Sequence, residues 1–331
     1  MFGKRSDFLN FLLVVFCVFW SNFVVSEQKY YYVKLDGDSA VLKMYINDAE
    51  VVSKLGRGEM NYNINANQYL MSGDNRIVID FEPYNLSRKN YTFDSELFYL
   101  DVGLTMNSSN SEELVELMNL RFNGKSDSLY QFDGPKKSQR SRINNSKTMV
   151  FLSDVRIKEH TIQYANRISE ENSKRVVIEF SINDEGLVKP SWIDAKKIND
   201  VDSSVEKKLW ASYEKIYKII KNNDELSYKK KLLRVNKHLS NVINYDIDEF
   251  ADEVLGKDPL NVDGLFFGDD FYLIKEGSHF VRVSPDKKML SIVPNPLTYK
   301  NNNDEYVSEK AMYFCDFGDE LEVCYIYDTG Y

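Results

Sequence analysis

The stretch Ser72-Gly-Asp-Asn-Arg-Ile-Val-Ile-Asp-Phe-Glu82 is a polar turn that runs directly into an alternating strand. Ile77, Ile79 and Phe81 fall on one face and Val78, Asp80 and Glu82 on the other, the period of two that a half-buried β-strand requires. The same rhythm continues outward in both directions. Tyr30–Leu35, Ala40–Asn47 and Met60–Asn65 precede it, and Glu96–Met106, Thr148–Ile168 and Arg175–Ile182 follow. Turns at Asp36-Gly-Asp38, Gly56-Arg-Gly58 and Asp133-Gly-Pro135 punctuate the series. Frequent short strands separated by polar turns predict an antiparallel β-sandwich over residues 27–190. One segment departs from the pattern: Ser111–Leu120 carries Leu114, Leu117 and Met118 at helical spacing behind a serine cap, which predicts a short helix.

Beyond residue 190 the period changes. Val205, Leu209, Tyr213, Ile216 and Ile220 recur at steps of four, four, three and four behind Asp202-Ser-Ser204, the stripe of an amphipathic helix. A second helix is expected over 225–244, with Leu232, Val235, Leu239 and Val242 inward, and a third at Asp248–Leu255. Strands return at Leu265–Ile274, Phe280–Ser284, Met289–Val293, Glu305–Asp316 and Glu322–Tyr327. Residues 191–331 therefore read as an α+β domain, two to three helices followed by an antiparallel β-meander, and no flexible linker separates it from the sandwich.

The expected compartment follows from the first 26 residues, which read as a signal peptide. Lys4 and Arg5 precede an apolar run of 10 residues, Phe11–Trp20, and Val24 and Ser26 suit a cleavage site before Glu27. A bilayer needs about 20 apolar residues. Stretching the run to Phe8–Val25 takes in Asn10, Ser21 and Asn22, so an uncleaved anchor is the alternative and no membrane span is expected after cleavage. The chain is expected in the periplasm or secreted. With a formal charge of −9, it is a poor match for nucleic acid or an anionic membrane surface as main partner. Cys17 lies in the signal, which leaves Cys315 and Cys324. A two-residue loop at Asp319-Glu320 would set them directly opposite each other on a hairpin, within disulfide reach in an oxidising compartment.

No catalytic constellation is legible. His160, His238 and His279 are the three histidines of the chain, and no zinc, nucleophile-elbow, phosphate-loop or dinucleotide motif occurs. His238 follows Lys229-Lys-Lys231, Arg234 and Lys237 on what reads as a solvated basic face. Ser278 and His279 are neighbours on a strand and point to opposite faces. The loop Pro259-Leu-Asn261-Val-Asp263-Gly264, with Asp270, imitates a calcium loop but places Pro259 at the essential first ligand position. No cofactor and no metal are expected. The candidate binding residues are instead acidic: Asp246, Asp248, Glu249 and Asp252, suited to a basic partner.

The longer stretch Asn65-Ala-Asn-Gln-Tyr-Leu-Met-Ser-Gly-Asp-Asn75-Arg-Ile-Val-Ile-Asp80 resembles the Gly-x-Asn turn of accessory jelly-roll, galactose-binding-like modules. The resemblance covers about 16 residues and implies a sandwich fold rather than a ligand. The whole chain also looks like exported bacterial proteins that carry this motif ahead of a helical and sheet-forming second half. Taken together, the expectation is a non-catalytic exported protein that binds another exported protein, in the manner of an envelope immunity protein. The alternatives are a carbohydrate-binding protein, since modules of that kind often bind sugars and the chain carries 22 Tyr and 20 Phe, and a hydrolase whose catalytic residues converge only in space.

Overall fold

A computed structural model describes residues 28–54, 58–85, 90–91, 98–109, 111–123, 130–133, 152–162, 173–222, 224–244, 271–275, 277–300, 306–307, 310–318 and 320–328. The proposed signal segment, the expected helix at Asp248–Leu255 and the calcium-like loop lie outside the described residues, as do Asp246, Asp248, Glu249 and Asp252.

Among the described residues of the first half there are eleven strands. They are β1 (Lys29–Asp38), β2 (Ala40–Ile46), β3 (Ala49–Lys54), β4 (Met60–Asn65), β5 (Gly73–Asn85), β6 (Asn90–Tyr91), β7 (Tyr99–Ser108), β8 (Ser111–Asn123), β9 (Tyr130–Asp133), β10 (Leu152–Ile162) and β11 (Ser173–Ile182). One sheet runs β4-β1-β7-β8-β9 and the other β10-β11-β5-β2-β3, with β6 on β5, and every pairing among the described residues is antiparallel. The alternation read from the sequence sets which side is inside. Tyr31, Val33 and Leu35 of β1 and Leu100, Val102 and Leu104 of β7 meet Leu42 and Met44 of β2 and Ile77, Ile79 and Phe81 of β5 in one core.

The expected helix at Ser111–Leu120 is a strand. β8 pairs β7 on one side and β9 on the other. The helical spacing came from a bulge: Leu104 faces Met118 and Thr105 faces Glu116, so Leu117 is the extra residue. Adjacent Leu117 and Met118 are consequently both buried, while Leu114 is exposed.

A second feature of this half positions everything that follows. β2 and β3 are joined by the two-residue loop Asn47-Asp48, with Ile46 opposite Ala49 and φ of 47° and 81° at the two loop residues. Positive φ at both is the type I′ hairpin turn, for which asparagine and aspartate are suited. This tip is buried in residues from the other end of the chain. The Asn47 carbonyl accepts from the Trp192 indole N–H at 2.6 Å, and Asp48 accepts from Ser284 Oγ at 2.5 Å and from the backbone N–H of Asp286 at 2.5 Å.

In the second half a 3₁₀ turn, Ser191–Asp194, leads to helices α1 (Ser203–Lys221), α2 (Glu225–Lys231) and α3 (Leu233–Ile243). Asp202 caps α1 by accepting from the N–H groups of Ser204 and Val205, and Leu209, Tyr213, Ile216 and Ile220 are buried as their spacing predicts. The expected single helix over 225–244 bends at Leu232 into two. The hydrogen-bond ladder continues across the bend, since Leu232 N–H donates to the Tyr228 carbonyl and Asn236 N–H to the Leu232 carbonyl. No helix among the described residues is long and apolar enough to cross a membrane.

The remaining strands are β12 (Phe271–Leu273), β13 (Phe280–Val283), β14 (Met289–Val293), β15 (Leu297–Lys300), β16 (Tyr306–Val307), β17 (Lys310–Asp316) and β18 (Leu321–Asp328). They form sheets ordered β13-β14-β17-β18 and β12-β15-β16. Cys315 and Cys324 are disulfide-bonded, with Cα atoms 5.8 Å apart. Their register differs from the expected one. Cys315 faces Glu322, and a bulge between Tyr313 and Phe314 leaves Cys324 as the extra residue. The connection spans four residues rather than two, because Asp316 pairs with Leu321 and the Asp316 carboxylate accepts from Gly318 N–H, with φ of 134° at the glycine.

Candidate functional site

A groove of about 450 Å³ opens where α2 and α3 lie beside β18 and the segment Val188–Ser191. Five cationic side chains line it, Lys189, Lys230, Lys231, Arg234 and Lys237, against one carboxylate, Glu322. On a chain of formal charge −9 this is a strong local reversal of sign.

The hairpin anchors two of the cations. Arg234 Nε donates to Glu322 at 3.0 Å while its guanidinium lies 3.7 Å above the Phe317 ring. Lys231 donates to Glu320 at 2.7 Å, and Lys215 of α1 pairs with the same carboxylate. Hydrogen bonds from Lys215 and then Lys231 hold the Glu320 carboxyl down at about 2, against an ordinary 4.5. Its contribution to stability is therefore present above pH 4.5 and lost as pH falls towards 2. Because the side chain is half-exposed, Glu320→Gln is expected to cost under about 1 kcal/mol at neutral pH and nothing near pH 2, measured by urea unfolding at both. Lys230 and Lys237 are different. Both are exposed, and among the described residues neither has a carboxylate partner.

His238 does not sit on the solvated basic face expected of it. It is buried, with its ring edge-on to Trp192 at 5.4 Å. The reason is positional: Val235, His238 and Val242 follow steps of three and four, so the histidine belongs to the inward stripe. Nε2 meets the Gln68 carbonyl at 2.7 Å, and since a carbonyl only accepts, that nitrogen carries the proton. Burial pushes the His238 pKa down, so the ring is neutral and Nδ1 has no partner among the described residues. A neutral histidine locked by its backbone contact is a wall of the groove rather than one of its charges.

The other two histidines sit on or beside strands of separate sheets. His160 lies in edge strand β10 opposite Arg175, and His279 packs edge-on against Trp210 at 5.4 Å. Among the described residues no group of three or more histidine, cysteine, aspartate or glutamate side chains could hold a metal.

A second cavity, about 610 Å³, lies beside the motif turn and is lined by Arg76, Arg156 and Lys288 together with Asp74, Asp154, Glu179 and Asp286, so its charges nearly balance. Arg76 pairs with Asp286 at 2.5 Å. Asn75 borders this cavity but is occupied in holding its own turn. It accepts from Met71 N–H and Asn47 Nδ2 and donates to the carbonyls of Met71 and Gly73, with Gly73 at φ 92°. The Gly-x-Asn motif thus acts structurally here. Comparison with protein-family models, curated proteins and solved structures finds no match to the chain.

Proposed function

We propose that this chain is an exported, non-catalytic protein that works by binding another exported macromolecule, in the manner of an immunity protein, and that the basic groove makes the contact. The observation that carries the reading is Lys230 and Lys237, two exposed ammonium groups beside a concave surface with no carboxylate partner among the described residues. Such charges steer an anionic surface into place and lose their effect with salt. The partner's contact face is accordingly acidic, the opposite polarity from the one suggested by Asp246, Asp248, Glu249 and Asp252.

Export itself is supported by the basic, apolar and small-residue succession over residues 1–26 and by the disulfide. Support for a sugar ligand is weaker. The most exposed aromatics among the described residues, Tyr62, Tyr99 and Phe280, do not line up along one strand: β4 and β7 flank β1 in one sheet and β13 belongs to another. The binding partner cross-linked to the protein in its native envelope, once identified and purified, should associate roughly tenfold more slowly with Lys230→Glu/Lys237→Glu than with wild type at low salt. Equal association rates across a salt titration would refute the assignment of the groove.

A further inference from the structure

Along α2 and α3 the outward positions Leu226, Lys230, Leu233 and Lys237 follow steps of four, three and four, so they share one helical face. The ladder of i to i−4 hydrogen bonds at Leu232 and Asn236 carries that face across the bend. Leu226 is 81% and Leu233 53% exposed, the two most exposed large apolar side chains among the described residues, and each is followed one turn later by an exposed lysine with no carboxylate partner among the described residues. A solvated face has no use for two leucines at this spacing, and a purely electrostatic patch has no use for them either.

We infer that this stripe and the adjoining groove dock an acidic amphipathic helix of the partner, its apolar positions covering Leu226 and Leu233 and its carboxylates meeting Lys230 and Lys237. The inference rests on the proposed function and names the form of its partner. Alternating apolar and cationic positions at helical spacing match a second helix whose apolar stripe is flanked by acid, the helix-in-groove mode of recognition. The groove beside Leu233 receives the flanking side chains, with Asn241 and the acceptor side of the Ser191 hydroxyl, which donates to the Cys324 carbonyl, on its lining. Charge selects a helix over an anionic lipid surface. A bilayer would face the molecule broadly and meet its formal charge of −9, whereas a single helix within a Debye length of about 8–10 Å meets mainly the local lysines.

Two synthetic acidic peptides of identical composition, about 18 residues long, separate the outcomes. One places leucines at i, i+3, i+4 and i+7 with glutamates on the flanks, and the other disperses the same residues. Fluorescence anisotropy with the full chain should show the first binding roughly tenfold more tightly than the second. Leu226→Ser/Leu233→Ser should erase that preference, and Lys230→Glu/Lys237→Glu should abolish binding of both peptides. The substituted residues are exposed, and unchanged circular dichroism and thermal midpoint would verify that each variant is folded. Equal binding of the two peptides, an undiminished preference in the leucine variant, or binding of anionic vesicles without either peptide would each overturn the inference. If the peptides fail while Lys230→Glu/Lys237→Glu still slows the native partner, the helix falls and the groove stands; if that variant leaves the native partner untouched as well, both fall.

Discussion

Glu50→Ala is expected to lower the unfolding free energy by about 3–5 kcal/mol, the range for breaking a buried ion pair by removing one partner. Glu50 is 1% exposed on β3, and one of its oxygens accepts both from Arg282 at 2.8 Å and from the Tyr313 hydroxyl at 2.5 Å. Burial first, and the Glu50 charge second, push the Tyr313 pKa well above its ordinary value, so the phenol remains a donor throughout the working pH range. Alanine would strand a largely buried guanidinium and a buried hydroxyl together. Glu50→Gln keeps an acceptor for the hydroxyl but loses the charge, and should fall between wild type and alanine. Urea unfolding of the three proteins decides it; a loss below about 1 kcal/mol for Glu50→Ala would show that the pair is dispensable.

Trp192→Ala should be comparably severe, about 3–5 kcal/mol, the usual cost of deleting a buried large aromatic. The indole is 2% exposed and packs against Tyr325 and His238, each ring centroid 5.4 Å away. Its effect is also directional. Trp192→Phe retains most of the apolar contact and removes the donor to the Asn47 carbonyl, which should cost about 1–3 kcal/mol for an unsatisfied buried acceptor, beside a smaller packing loss. Near-UV circular dichroism and calorimetry would register both changes. A phenylalanine variant as damaged as the alanine one would mean that the hydrogen bond, not the packing, holds the turn.

The strands of the sandwich core were legible because their inner faces alternate: Ile77, Ile79 and Phe81 announce β5 without any knowledge of its neighbours. Helix α1 was equally plain from Asp202 and the stripe behind it. What escaped were the places where pairing rewrites local pattern. The bulge at Leu117 imitates a helical period, and β3 was hidden because Asn47-Asp48 is a turn only when both residues take positive φ. The disulfide was readable from two cysteines on a hairpin, its register was not, since Asp316 and Gly318 open the loop. The groove shows the limit most clearly. Its lysines were visible as a basic face, but the concavity depends on Lys189, Ser191 and Glu322 arriving from far along the chain, and no local spacing encodes that meeting.

The buried Asn47-Asp48 tip also sets an order of events. Its partners, Trp192 and residues 284–288, emerge at least 140 positions later, so the sandwich can take shape while the surfaces that cover its tip do not yet exist. If the chain is exported N-terminus first, as proposed above, the hairpin would wait with Asp48 and Glu50 still solvated, and the second half would assemble on it as on a template. A fragment ending near residue 190 would accordingly present an open, acid-bearing tip where Trp192 and Ser284 belong.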